Sequence, residues 1–180
     1  MLPRRTLLQN DFPHIVFRKP VISDAQAIWK LVQTSPPLDM NSLYCYLILC
    51  AHFADTSVVV ESPERLCGYI SAYVPPDRQN TLFVWQVVVN PVCQGKGVAK
   101  TMLKTILQRQ YSVPVSYLET TVNPSNLASD ALFHSLAKTL NTSCEKRVLF
   151  SEKDFGESAH EDEILYRIGP FDTQIQKEEP

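Results

Sequence analysis

The 180-residue chain has five glycines against thirteen prolines, five cysteines and a net charge of only −2 at pH 7. Each scarcity excludes something. Near-neutral charge gives no global electrostatic reason to bind nucleic acid or an anionic membrane, so neither partner is expected. Cys45, Cys50, Cys67, Cys93 and Cys144 form no C-x-x-C pair and sit mostly in apolar runs. They read as small buried hydrophobes in a reducing compartment, with no metal site. The uncharged run from Met40 to Ala54 is apolar over only part of its length and too short to cross a bilayer. The opening MLPRRTLLQNDFPH lacks an apolar stretch long enough for a signal peptide, so a cytoplasmic location is expected. Two common phosphate loops are missing as well. Gly97 follows Lys96, which rules out G-x-x-x-x-G-K-[ST], and Lys100 stands where the third glycine of G-x-G-x-x-G would fall.

What is present concentrates between Phe83 and Ala99, FVWQVVVNPVCQGKGVA. A β-branched apolar run ends at Asn90-Pro91 and gives way to Gln94-Gly95-Lys96-Gly97-Val98-Ala99, then to a helical pattern. A buried strand that turns into a helix N-terminus leaves main-chain amides uncovered, which suits the phosphates of a cofactor. Gly95 and Gly97 let a phosphate oxygen come close and make positive φ cheap. The helix dipole adds partial positive charge and Lys96 a whole one.

Along the chain, Ile15 to Lys19 reads as a strand stopped by Pro20. Ser23-Asp24-Ala25-Gln26 reads as a capping box that opens a helix to about Thr34. The Pro36-Pro37 pair interrupts, and Asn41-Ser42 can cap a helix from Leu43 to about Phe53. Strands follow at Ser57–Glu61, Leu66–Val74 and Thr81–Val89, separated by turn signals, as an antiparallel meander. Then come a helix from Val98 to about Gln110, a strand from Val115 to Val122, and a helix capped by Ser125 that runs to about Leu140. Two late strands, Cys144–Phe150 and Glu163–Ile168, complete an α+β order with a mixed, mostly antiparallel sheet flanked by helices. One domain is expected over residues 15–170, with a flexible segment at 1–14 and a tail at 171–180.

Gln94-x-x-Gly97-x-Ala99 resembles the Q/R-x-x-G-x-G/A signature with which GNAT acetyltransferases hold the pyrophosphate of acetyl-CoA, and the element order is that of the GNAT fold. Longer segments sharpen the resemblance. Ser35-Pro36-Pro37-Leu38-Asp39-Met40-Asn41-Ser42-Leu43-Tyr44-Cys45-Tyr46-Leu47 is similar to the PPLD-x-NS-x-Y-x-YL segment of the diaminobutyrate acetyltransferases. So are Leu82 to Val87 and Leu118 to Asn126. The resemblance covers nearly the whole chain. It implies acetyl transfer from acetyl-CoA to the γ-amine of L-2,4-diaminobutyrate, in biosynthesis of the compatible solute ectoine, by a homodimer. Another small diamine or a peptide amine is the alternative acceptor within the same fold.

For acetyl-CoA, the resemblance implies Val87, Val88, Val89, Gln94 to Ala99, Asn126 and Phe133. A backbone N–H at Val87 or Val89 would meet the developing oxyanion. The acceptor carries a carboxylate and two ammonium groups, so its site needs anionic partners for the amines. Asp39, projected from the Pro-Pro corner, is a candidate; the alternative is a simple turn aspartate. Tyr44 and Tyr46 point to different faces of one helix, so only one enters the site, and Tyr44 is preferred. Trp85 can wall the acyl end or simply pack in the core. Glu119, between apolar neighbours on its strand, is a candidate general base, directly or through water. His160 and Glu163 belong to a polar run that is either a solvated loop or the edge of the site. Arg18, Arg78 and Arg147 are open candidates for the substrate carboxylate. In many GNAT enzymes a tyrosine seven residues after the asparagine protonates the leaving thiolate; here that position is Phe133, which has no proton to give.

Overall fold

The computed structural model describes residues 15–36, 38–157 and 160–172. The segment expected to be flexible at 1–14, Pro37 of the Pro-Pro turn and tail residues 173–180 lie outside the described residues. Its elements are β1 (Val16–Arg18), α1 (Ala25–Gln33), α2 (Leu43–His52), β2 (Val58–Ser62), β3 (Arg65–Tyr73), β4 (Thr81–Val89), α3 (Val98–Leu107), β5 (Tyr117–Val122), α4 (Leu127–Thr139), β6 (Cys144–Phe150) and β7 (Glu163–Ile168). The strands form one mixed sheet in the order β1-β2-β3-β4-β5-β7-β6. β4 and β5 are parallel, while β1–β2, β2–β3, β5–β7 and β6–β7 are antiparallel. The late strands therefore pair within the chain, and β7 inserts beside β5.

The chain divides into two compact units, Met1–Tyr73 with Gln86–Arg109, and Val74–Trp85 with Gln110–Pro180. β4 thus gives its first half to the second unit and its second half to the first. In the first unit, Ala25, Ile28, Leu31 and Val32 recur at the helical period and bury one face of α1. They pack with Tyr46, Leu49 and Cys50 of α2 and with Val59, Tyr69 and Val88 of the sheet. Burial pushes the Cys50 thiol up to about 11, as expected of a cysteine used as a core hydrophobe. All five cysteines are free. In the second unit Leu82, Val84, Leu118, Phe133, Leu136, Leu165 and Ile168 are buried.

Two helix starts differ from expectation, for one reason. Ser23 does not cap α1. A 3-10 turn spans Ile22–Asp24, and the Asp24 carboxylate accepts the Val21 N–H at 2.7 Å while binding the Arg18 guanidinium at 2.7 and 2.9 Å. Arg18 also holds Glu61, so charge-assisted bonds fix the entry to α1. At α4 the cap is Asn126, whose Oδ1 accepts the Ser129 N–H at 3.1 Å, whereas the Ser125 N–H donates to Glu161 at 3.1 Å. Ser42 caps α2 as expected, accepting the Cys45 N–H at 3.2 Å. Among the described residues no helix is long and apolar enough to cross a membrane, and no cluster of His, Cys, Asp and Glu is placed to hold a metal ion.

Candidate active site

In the first unit β4 ends at Val89, and a 3-10 turn over Pro91–Cys93 leads into the glycine loop. Asn90 builds this corner. Its N–H donates to the Cys67 carbonyl at 2.8 Å, its side-chain oxygen accepts the Val92 N–H at 3.2 Å, and its amide donates to the Leu66 carbonyl at 3.3 Å. Gln94 reaches back to the Val89 carbonyl at 3.1 Å. Gly95 and Gly97 both have positive φ, 73° and 75°. A Cβ at either would meet no atom within 4 Å. Backbone conformation, not crowding, therefore requires glycine here, and space is open beside the main chain. Gly97 stands at the N-cap of α3 and, as a glycine, offers the helix no side-chain cap. That leaves donors at the positive end of a ten-residue helix, an arrangement that accepts an anion without rearrangement. Gln94, Gly95, Lys96 and Gly97 are exposed, Ala99 is half-buried, and Val98 packs beneath.

The same unit carries Asp39, Tyr44 and Tyr46. The tyrosines do face apart: Tyr46 is fully buried and Tyr44 is 71% exposed. Asp39 is exposed, and its main-chain carbonyl accepts a 3.0 Å hydrogen bond from the Gln86 side chain. Gln86 in turn accepts the Tyr46 hydroxyl at 3.1 Å. Val87 and Val89 alternate with Gln86 and Val88 along β4, half-buried against buried.

In the second unit the strand register gathers most of the other candidates. Glu119 pairs with Phe83 on β4 and with Arg167 on β7, and directly paired residues share a face. Trp85 lies two residues beyond Phe83, and Thr121 pairs with Leu165, two residues beyond Glu163. Trp85, Glu119, Glu163 and Arg167 therefore project from one face. Glu119 is 3% exposed and is not alone: Arg167 binds its Oε1, and the Arg78 Nε lies 3.5 Å from its Oε2. Burial of a carboxylate is tolerable only with such partners. Arg167 also lies over the Tyr117 ring at 3.9 Å. Trp85 is 47% exposed, not packed as a core tryptophan.

The polar run before β7 is ordered by its own side chains. Glu161 receives the Ser125 N–H and Asp162 the Glu152 N–H. His160 stacks on Phe155 with ring centroids 3.9 Å apart, and its Nε2 lies 3.7 Å from Glu163. Phe133 is 2% exposed. Its neighbour Tyr166 does carry a phenol, but that hydroxyl donates to Asp130 at 2.6 Å, where Lys146 also binds. Of the arginines left open, Arg18 is spent on Asp24 and Glu61, Arg78 meets Asp77 and Glu119, and Arg147 is exposed on β6.

Residue types alone did not single out Gln86 or Arg167, and they set Tyr46 aside as the packing member of its pair. A signal existed for two of them: an amide inside Phe83–Val89 and a guanidinium inside Glu163–Ile168 are polar groups in apolar strands, and such groups demand partners.

The family model described as Acetyltransferase (GNAT) family matches residues 25–137. The chain belongs to the GNAT acetyltransferase family. Its curated relatives include the L-2,4-diaminobutyric acid acetyltransferase of Marinococcus halophilus, 44% identical over 171 residues, which cover 95% of this chain and 99% of the relative. The enzyme of the same name from Halalkalibacterium halodurans is 45% identical over 157 residues, covering 87% of this chain and 82% of the relative. The GNAT fold is shared with a solved structure of the diaminobutyrate acetyltransferase of Paenibacillus lautus, in complex with its substrate L-2,4-diaminobutyric acid and coenzyme A. The TM-score is 0.84 and the identity 38%, over 88% of this chain and 96% of that one.

Proposed function

We propose that this protein transfers the acetyl group of acetyl-CoA to the γ-amine of L-2,4-diaminobutyrate, giving N4-acetyl-L-2,4-diaminobutyrate. The observation that carries the reading is the match, over nearly the full length of both chains, to acetyltransferases of that name. The open glycine loop at the start of α3 supports it as the pyrophosphate cradle, with Gln94 to Ala99 as its residues. Val87 to Val89, Asn126 and Phe133 complete the acetyl-CoA contacts in this reading, and the N–H of Val87 or Val89 meets the developing oxyanion.

For the acceptor, Asp39 and Glu163 offer carboxylates to the ammonium groups, Tyr44 and Trp85 shape the site, and His160 orients Glu163. Glu119, directly or through a water, takes the proton that the γ-ammonium must lose before its nitrogen can attack the acetyl carbonyl. The C–N bond forms, the nitrogen gives up its second proton to solvent, the C–S bond breaks, and coenzyme A leaves as the thiolate or takes a proton from solvent, because Phe133 supplies none. A thiol whose ordinary pKa is about 8.5 is a tolerable leaving group without an acid. The enzyme works as a homodimer in the cytoplasm, on the path to ectoine, in this same reading.

The test is release of the coenzyme A thiol with diaminobutyrate set against ornithine, lysine and a short peptide. Diaminobutyrate is expected to lead by about a hundredfold in kcat/KM, a gap of about 2.7 kcal/mol in transition-state binding. Equal rates across the panel would remove diaminobutyrate as the preferred acceptor and leave the acetyltransferase family standing.

A further inference from the structure

The amide of Gln86 is the polar interruption of an otherwise apolar strand end, Val84 to Val89 apart from Trp85, and the residue is 8% exposed. An amide withdrawn from water is destabilising unless its donors and acceptor are used, so its presence calls for a purpose. Its geometry is unambiguous. The Asp39 carbonyl can only accept, so the NH₂ end of Gln86 must face it, at 3.0 Å. The Oε1 end then faces the Tyr46 hydroxyl at 3.1 Å, which must donate. Tyr46 is fully buried in the α1–α2 core, and burial raises its pKa, so the phenol stays a donor. The two hydrogen bonds therefore tie the main chain at Asp39 to β4 through one side chain, and to α2 through a second.

No helix or strand fixes Asp39: it lies between the end of α1 and the Ser42 cap of α2. Resting on the reading of Asp39 as a contact for a substrate ammonium, we propose that Gln86 and Tyr46 are positioning residues that set the place of the Asp39 carboxylate and thereby the length of diamino acid accepted. A carboxylate on a main chain anchored at its own carbonyl meets an ammonium at one reach. A carboxylate on an unanchored corner follows a longer side chain. Neither Gln86 nor Tyr46 touches the substrate in this account; they act through Asp39.

The test uses the full chain, with Tyr46→Phe and Gln86→Met assayed for KM of diaminobutyrate, KM of acetyl-CoA, relative kcat/KM for ornithine, and melting temperature. Phenylalanine keeps the packing and removes the hydroxyl, which meets Asn41 as well as Gln86; methionine keeps the shape and removes both bonds of the Gln86 amide. KM for diaminobutyrate is expected to rise about threefold in Tyr46→Phe and about tenfold in Gln86→Met, since a misplaced group weakens binding more than its contact area suggests. KM for acetyl-CoA is expected to stay within about twofold, and the preference for diaminobutyrate over ornithine to narrow by about fivefold or more. A purely structural role would lower the melting temperature and depress turnover of both diamines alike, with their ratio unchanged; that result overturns the proposal. Wild-type protein in the same assay separates the two claims. Failure to acetylate diaminobutyrate would sink the functional reading itself, whereas normal wild-type turnover with unchanged discrimination in both variants would sink only the positioning role.

Discussion

The loop from Gln94 to Ala99 and the cluster around Glu119 serve the same reaction in the account above, but they are assembled by opposite means. In the first, residues adjacent in sequence present main-chain N–H groups, and the side chains matter mainly through the two positive φ angles at Gly95 and Gly97. In the second, a buried carboxylate meets a guanidinium 48 residues away, brought to it by the pairing of Glu119 with Arg167 across β5 and β7. A backbone-built site tolerates most substitutions that keep its dihedral angles. A side-chain-built site fails when one member is removed, because the remaining charges lose their partners.

The largest expected effect breaks the second region. Glu119→Ala should lower kcat/KM for diaminobutyrate by about a thousandfold, as expected when a general base is lost, with little change in acetyl-CoA affinity measured by calorimetry. Stability should fall by about 2 kcal/mol in denaturant titration, less than for a fully buried pair because Arg167 and Arg78 reach solvent. A drop in acetyl-CoA affinity of the same size as the loss in turnover would show that the two regions are not separable.

Next in size, and the converse, is the backbone. Gly97→Val should raise KM for acetyl-CoA by about tenfold while KM for the diamine stays put, since a β-branched residue at positive φ costs about 1–2 kcal/mol. Asp39→Asn should do the reverse, raising KM for diaminobutyrate by about tenfold with acetyl-CoA binding intact. Unaltered kinetics in Asp39→Asn would remove that residue from the acceptor site.

A smaller effect concerns stability alone. Burial opposes ionisation of Asp24, but the Arg18 guanidinium and the Val21 N–H prevail and hold its carboxyl below the usual aspartate value. A depressed folded-state pKa contributes stability above the unfolded value and loses it as pH falls through the folded one. Asp24→Asn should therefore cost about 1–2 kcal/mol at neutral pH, and the gap to wild type should close in strongly acidic solution. Smallest of all is Phe133→Tyr, expected to keep kcat within about twofold if the thiolate leaves unaided; a sharp rise in kcat would show that its protonation limits the rate.

The contrast also explains what the sequence revealed. β4, β6 and β7 begin and end where alternation and turn residues place them, and the glycine loop was legible because its parts are contiguous. Phe133 came from the resemblance alone, as a fixed step from Asn126. Glu119 stood out as an isolated carboxylate, but its partners did not, because finding Arg167 requires knowing that β7, not β6, lies against β5. The link from Tyr46 through Gln86 to Asp39 was hidden likewise: it joins three segments, and the tyrosine looks like plain core packing until its hydroxyl is traced. The helix starts misread at Ser23 and Ser125 were cases in which the neighbouring residue, Asp24 or Asn126, outcompeted a serine hydroxyl.

The acceptor chemistry is read most directly from the position of the acetyl group on the product, by NMR after the wild-type protein has consumed acetyl-CoA and L-2,4-diaminobutyrate. Acetylation at the γ-nitrogen is expected, with the α-ammonium left free. Acetylation at the α-nitrogen, or thiol release with no acetylated diamine formed, would contradict it.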